Sequence, residues 1–265
     1  MVFYMKKFLL VIFALTVITP TTYSYNITAL FFDVESIFQT DSMRASSYVG
    51  KINSMRYLSH VGNLPCQADL FNQLKTVKAQ STQVTYNNNL EMPLILSDWL
   101  AQQQSSSKIK DIIQRHFTNK NISDIEVKVL TAVISMMLTP QHLADTQKVR
   151  SKIESTLQTL KQKGYTLYLV GNWSHISSMK AEFPEIFKYF NGTFMSGDLH
   201  LLKPYQQYYQ YVLQATGINP NNALWIETEQ KFQSKVQQYG YNVVGYKQDD
   251  HRALLNGLRQ FGISI

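Results

Sequence analysis

Residues 27–32 (ITALFF) constrain the fold of this chain more than any other segment, because an apolar run without alternation, ending on Asp33, suits a strand buried on both faces. Strands of that kind belong to parallel sheets, and their carboxyl ends are where such sheets gather reactive groups. From residue 147 onward, strand-like and helical segments alternate. Strands are expected at 165–170, 192–195, 223–226 and 242–246, and helices at 146–163, 175–182, 205–216, 230–239 and 249–261. Alternation of this sort predicts an α/β architecture with an open parallel sheet and helical crossovers. Gly164, Gly217 and Gly240 fall just past three of the helices, where a left-handed C-cap is needed.

Between about 42 and 146 the pattern changes. Val127, Leu130, Val133, Ile134 and Met137 recur at helical spacing, with breaks at Pro65, Pro93 and Pro140, so an all-helical insertion is expected there. At the N-terminus, Lys6 and Lys7 precede an apolar stretch over 8–18 and then small and polar residues ending near Ser24, the three-part plan of a secretory signal. About eleven apolar residues fall short of the roughly twenty of a spanning helix, so cleavage after Ser24 is expected, with no stable membrane insertion afterwards. The domain reading is therefore a signal at 1–24, an α/β core made of 25–41 and 147–265, and a helical domain at 42–146. Export implies a secreted or periplasmic protein. Cys66, the single cysteine, cannot form an internal disulfide, so stability must come from packing.

With 45% hydrophobic and 16% charged residues the chain can bury a substantial core. The formal charge of +7 falls by two once the signal is removed, and the basic residues are dispersed, without an interleaved aromatic platform. No nucleic-acid partner is expected. The six histidines show no His-x-x-x-His or Cys/His ligand spacing, so no dedicated zinc site is expected. Tyr205, Tyr208, Tyr209 and Tyr211 crowd one helix and are read as packing against the sheet.

Four segments sit at or just beyond expected strand tips. In FFDVESIF (31–38), Asp33 and Glu35 share one side of an extended segment, so one carboxylate can attack while the other moves protons. YLVGNWSH (168–175) offers Gly171 and Asn172 as donors to an anionic oxygen. In the segment SGDLHLLKP, Lys203 precedes Pro204 at a helix entry and can balance the charge of a carboxylate and a phosphoryl group. ALWIETEQKF (223–232) adds Glu227 and Glu229, acids that can complete an oxygen-ligand site for Mg²⁺.

In this order and spacing the four segments resemble the haloacid dehalogenase-like (HAD) superfamily, over 29–37 and nearly all of 147–262. The stretch LYLVGNWSH, then FPEIFKYFNGTFMSGDLHLLKP, GINP and LWIE is similar to branches with an SNW-type second motif. The resemblance implies a Rossmann-like three-layer sandwich with the helical insertion as its cap, and phosphoryl transfer through an aspartyl-phosphate. By position it makes Asp33 the nucleophile and a metal ligand, Glu35 the acid/base, Lys203 the charge-balancing lysine, and Gly171 and Asn172 substrate-binding. Mg²⁺ would be held by Asp33, the Val34 carbonyl and Glu227.

Two positions depart from the family pattern: Gly171 stands where a serine or threonine hydroxyl is usual, and Glu227-Thr228 where two adjacent acids are usual. The expectation is a Mg²⁺-dependent phosphatase acting on a small phosphorylated compound. The alternative is a catalytically silent protein of the same fold that binds a ligand or partner. Glu35 has no evident task in displacing a halide, which sets a metal-free dehalogenase below both.

Overall fold

The computed structural model describes residues 25–50, 74–77, 93–119, 124–247 and 250–265. The signal segment, Cys66, His60 and Pro65 lie outside them.

The apolar run forms β1 (Ala29–Asp33), buried along its whole length. It is the central strand of a five-stranded parallel sheet with β4 (Thr166–Gly171), β5 (Gly192–Met195), β6 (Ala223–Glu227) and β7 (Asn242–Gly245), in the order β5-β4-β1-β6-β7. Asp33 registers with Val170 of β4, and Phe32 with Ile226 of β6, so the tips of β4 and β6 flank Asp33. The reversal of strand order at β1 is the switch point where an open sheet of this kind binds ligands.

Successive β1 side chains enter different cores, as the two-residue period requires. Leu30 and Phe32 join one face with Leu157, Leu169, Ile226 and Leu258. Ala29 and Phe31 join the other, an aromatic layer in which Phe31 stacks on Trp225 at 4.4 Å and Tyr209 meets Trp225 edge-on at 4.8 Å. The crossover helices lie on these faces: α7 (Ile153–Gln162), α8 (Ile176–Glu182), α9 (Pro184–Phe187), α11 (Gln206–Thr216), α12 (Gln230–Gln238) and α13 (His251–Gln260). Gly164 ends α7 at φ +86°, as its position predicts.

Several short elements were not legible in the sequence. The short helix α1 (Val34–Ile37) follows Asp33 directly. The helix expected from residue 146 starts only at Ile153, because β3 (Gln147–Val149) instead pairs antiparallel with β2 (Phe38–Thr40). This two-stranded ribbon sits where the chain leaves and re-enters the α/β core. α10 (Ser196–Leu199) follows β5. Pro204 does not open a helix: the Lys203-Pro204 peptide is cis, and α11 begins two residues later with Tyr205 as its N-cap.

Between the ribbon strands, the described elements are all helices: α2 (Ser42–Val49), α3 (Leu94–Leu100), α4 (Ser106–Thr118), α5 (Asp124–Leu138) and α6 (Pro140–Asp145). α3, α4 and α5 share a core of their own, with Ile95, Trp99, Ile113, Phe117 and Ile134 buried in it.

Candidate active site

Every strand-tip segment singled out in the sequence converges on Asp33, and the two oxygens of that carboxylate face different partners. Oδ1 lies 3.0 Å from Lys203 Nζ. Oδ2 accepts a hydrogen bond from Thr228 Oγ1 at 2.9 Å. Gly171 is on the Oδ1 side, since a Cβ built on it would stand 3.4 Å from that oxygen. Fixing both oxygens at the tip of a fully buried strand presets the direction in which the carboxylate can attack.

Lys203 is 1% exposed and lies between two carboxylates, Asp33 and Glu227, with its Nζ 2.6 Å from Glu227 Oε2. Burial alone would favour the neutral amine. The charges of Asp33 and Glu227 outweigh it and hold the lysine firmly protonated. Its backbone is fixed as well: Lys203 N–H donates to Asn172 Oδ1 at 2.8 Å, and Asn172 Nδ2 donates to the Lys203 carbonyl at 3.0 Å. Asn172 was expected to touch substrate. Its amide holds both backbone groups of Lys203 and so fixes the lysine beside Asp33.

Glu35 opens the first turn of α1, and its Oε2 is 3.4 Å from Thr228 Oγ1. Loss of surrounding water to the protein, then the charges of Asp33 and Glu229, push its carboxyl up to about 7, against Lys203 and the Thr228 hydroxyl. The side chain still reaches solvent. Behind it, Arg150 Nε donates to the Glu35 carbonyl at 2.8 Å while its NH1 donates to Gln39 Oε1, tying α1 to the ribbon.

The donors that the sequence offered to Mg²⁺ are redistributed by the fold. The Val34 carbonyl accepts the Phe38 N–H within α1. Glu227 is fully buried, with Oε2 on Lys203 and Oε1 3.5 Å from the Tyr209 hydroxyl. Glu227 is thereby committed to the buried lysine. Glu229 stands at the N-cap position of α12, makes no side-chain capping bond, and pairs with Lys231 at 3.1 Å.

Among the described residues no three His, Cys, Asp or Glu side chains come together as a metal cluster. What remains together is a set of hard oxygens: Asp33 Oδ2, Thr228 Oγ1 and Glu35 Oε2. One or two carboxylates with a hydroxyl suit Mg²⁺, which keeps several waters and takes its remaining ligands from substrate phosphate. The donor set therefore fits the ion, through Asp33 and Thr228 instead of through Glu227.

Several contributors escaped the sequence reading. Thr228 counted only as a lost acid. Tyr208 lies beneath the site, its hydroxyl accepting the Gly171 N–H at 3.0 Å and donating to the Phe194 carbonyl at 2.5 Å, so it bridges the tips of β4 and β5. The signal was present in the four tyrosines after Lys203, but packing alone accounted for them.

A family model of haloacid dehalogenase-like hydrolases matches residues 50–227, about two thirds of the chain. The chain belongs to that family. The matched span begins beyond β1, so Asp33 and Glu35 are attached to the family through the sheet and not through the match itself. Solved structures agree on the fold. A HAD family enzyme from Bacteroides thetaiotaomicron superposes with a TM-score of 0.54 at 15% identity, covering 86% of this chain and 98% of its own. A predicted HAD-like family hydrolase from Porphyromonas gingivalis gives 0.53 at 12% identity over 88% and 98%. A dehalogenase gives 0.51 at 14% identity over 85% and 87%. At such identities the likeness shows the architecture, and the chemistry of this HAD-like hydrolase must be argued from its own side chains.

Proposed function

We propose that this HAD-like hydrolase cleaves a small phosphorylated compound through a covalent ester at Asp33. The observation that carries the reading is the division of Asp33 between Lys203 on one oxygen and Thr228 on the other, with Glu35 within reach of the same hydroxyl. Asp33 Oδ1 forms a bond to phosphorus as the bond to the leaving oxygen breaks, and Glu35 gives that oxygen its proton. Glu35, now a carboxylate, takes a proton from water as the water attacks the aspartyl-phosphate, which releases inorganic phosphate and restores Asp33. Lys203 faces the phosphoryl group once the Asp33 charge is lost in the ester, so its own charge becomes available to it. Mg²⁺ beside Asp33 and Thr228 would supply further neutralisation of phosphoryl charge. In support, the Bacteroides thetaiotaomicron protein of this fold has been crystallised as a complex with magnesium and inorganic phosphate. The helices between the ribbon strands take the place of a cap over this face.

The test is turnover of a generic aryl phosphate by the mature chain with Mg²⁺. Asp33→Asn should lower the rate by roughly a thousandfold or more, and Glu35→Gln by on the order of a hundredfold. Turnover that survives Asp33→Asn would end the proposal.

One observation favours the second reading, a binding protein without turnover. A Cβ on Gly171 would meet Val34 Cγ1 at 2.7 Å, so the hydroxyl usual at this position has no room. Phosphate binding with no turnover under any metal would select that reading. For export, we propose that residues 1–24 are removed, and the mass of the secreted chain, expected to begin near Tyr25, checks it.

A further inference from the structure

We infer that Thr228 is the metal-facing donor of this site and that Mg²⁺ is consequently held jointly with a phosphoryl group, and scarcely at all without one. The inference rests on the proposed Asp33 site but not on its turnover. Lys203 separates the buried carboxylates into two sets. On its inner side is Glu227, 0% exposed, 2.6 Å from Nζ and within reach of the Tyr209 hydroxyl. On its outer side is Asp33, whose Oδ1 is taken by the same ammonium at 3.0 Å. For Glu227 to bind an ion it would have to leave a fully buried ion pair and strand Lys203, and breaking such a pair is strongly unfavourable. The oxygens facing away from the ammonium are Asp33 Oδ2 and Thr228 Oγ1, 2.9 Å apart, with Glu35 Oε2 3.4 Å from the hydroxyl.

That outer set pairs one carboxylate with one neutral hydroxyl, and it adjoins a second carboxylate that the chemistry needs for proton transfer. Mg²⁺ dehydrates reluctantly and has little to gain from so few charged ligands. A phosphoryl oxygen adds the missing negative charge, much as a Ser or Thr and an Asp hold Mg²⁺ in P-loop enzymes only as part of a metal–phosphate unit. The Thr228 hydroxyl can turn its lone pairs outward when its proton is no longer needed by Asp33 Oδ2. By linkage, the factor by which phosphate tightens Mg²⁺ equals that by which Mg²⁺ tightens phosphate.

Isothermal titration of the mature chain with MgCl₂ alone, inorganic phosphate alone, and each in the presence of the other measures this factor without any turnover. The expected result is no measurable heat with Mg²⁺ alone near physiological concentration, and tightening of phosphate by on the order of tenfold or more when Mg²⁺ is added. Thr228→Ser should retain the coupling. Thr228→Val, which keeps the shape and removes the hydroxyl, should abolish it, read as a phosphate affinity that Mg²⁺ no longer changes. Thr228→Asp should bind Mg²⁺ without phosphate. Circular dichroism and phosphate binding establish that each variant is folded.

Micromolar Mg²⁺ binding by the unaltered chain without phosphate, full coupling in Thr228→Val, or no coupling in the unaltered chain would each overturn the inference. Coupling without turnover would leave it standing and overturn the phosphatase reading alone.

Discussion

Gly171 and Val34 settle between them what can stand beside Asp33 at the tip of β4. Val34 is 2% exposed and β-branched, so it has little freedom to turn away from a new side chain on β4. Gly171→Ser, which would restore the hydroxyl usual in the family, should therefore destabilise the fold by about 1–3 kcal/mol through overpacking. The double change Val34→Ala with Gly171→Ser should recover most of that loss, read as the midpoint of urea unfolding. A single Gly171→Ser that is neutral would show that Val34 does not set the limit. Sequence alone revealed the missing hydroxyl but not its cause, because Val34 and Gly171 lie far apart in the chain and meet only through the pairing of β1 with β4. The same holds for Thr228. It was readable as a missing acid, whereas its bond to Asp33 depends on β6 lying beside β1. Asp33 and Lys203 were legible because each stands at a strand tip or a proline-marked turn, features local enough for a pattern to carry.

At the scale of elements, long buried strands and crossover helices were readable from their periodicity, while the β2–β3 ribbon was not. Each ribbon strand has three residues, too few for alternation to show, and β3 was absorbed into the helix that follows it. α3 carries a different conflict between propensity and burial. Asp98 is 0% exposed, and its Oδ1 has no hydrogen-bond partner among the described residues. Burial pushes its carboxyl up to about 6. The folded state then holds that proton more tightly than the unfolded chain, whose aspartates titrate near 3.9. Stability contributed by protonated Asp98 is fully present below about pH 4 and is lost as pH rises through about 6. Asp98→Asn should thus gain on the order of 1–3 kcal/mol over the unaltered chain at pH 7 and little at pH 4. Thermal denaturation of both proteins across that range checks the difference. An equal difference at both pH values would mean that Asp98 is not titrating in the folded state.

Across the whole molecule, the helical segment and the α/β core are joined by more than the ribbon. The turn after α3 docks onto the loop that follows β4 and onto α10 and its C-terminal end after β5. Ser196 Oγ donates to the Leu100 carbonyl at 2.8 Å, His200 Nδ1 donates to the Ala101 carbonyl at 2.8 Å, and Gln102 Nε2 donates to the Ser174 carbonyl. Gly197 leaves room for this contact, since a Cβ there would meet the Ser174 carbonyl oxygen at 2.1 Å and Gln102 Nε2 at 2.8 Å. Gln102 adopts φ +51° to reach in. The alternation of strands and helices announced the core and the helical insertion, but nothing periodic marks one glutamine that bridges them. If the helices between the ribbon strands act as a cap, this docked turn is what holds it against the core, and its bonds are among the first that opening must break. Gln102→Ala should then raise amide hydrogen exchange together in residues 100–104 and 173–176, with the strands β1, β4 and β6 unchanged. On an aryl phosphate the same variant should raise KM more than it lowers kcat, because it acts on access and leaves Asp33, Lys203 and Thr228 in place. Exchange that rises only in residues 100–104 would show that the turn rests on the core without holding it.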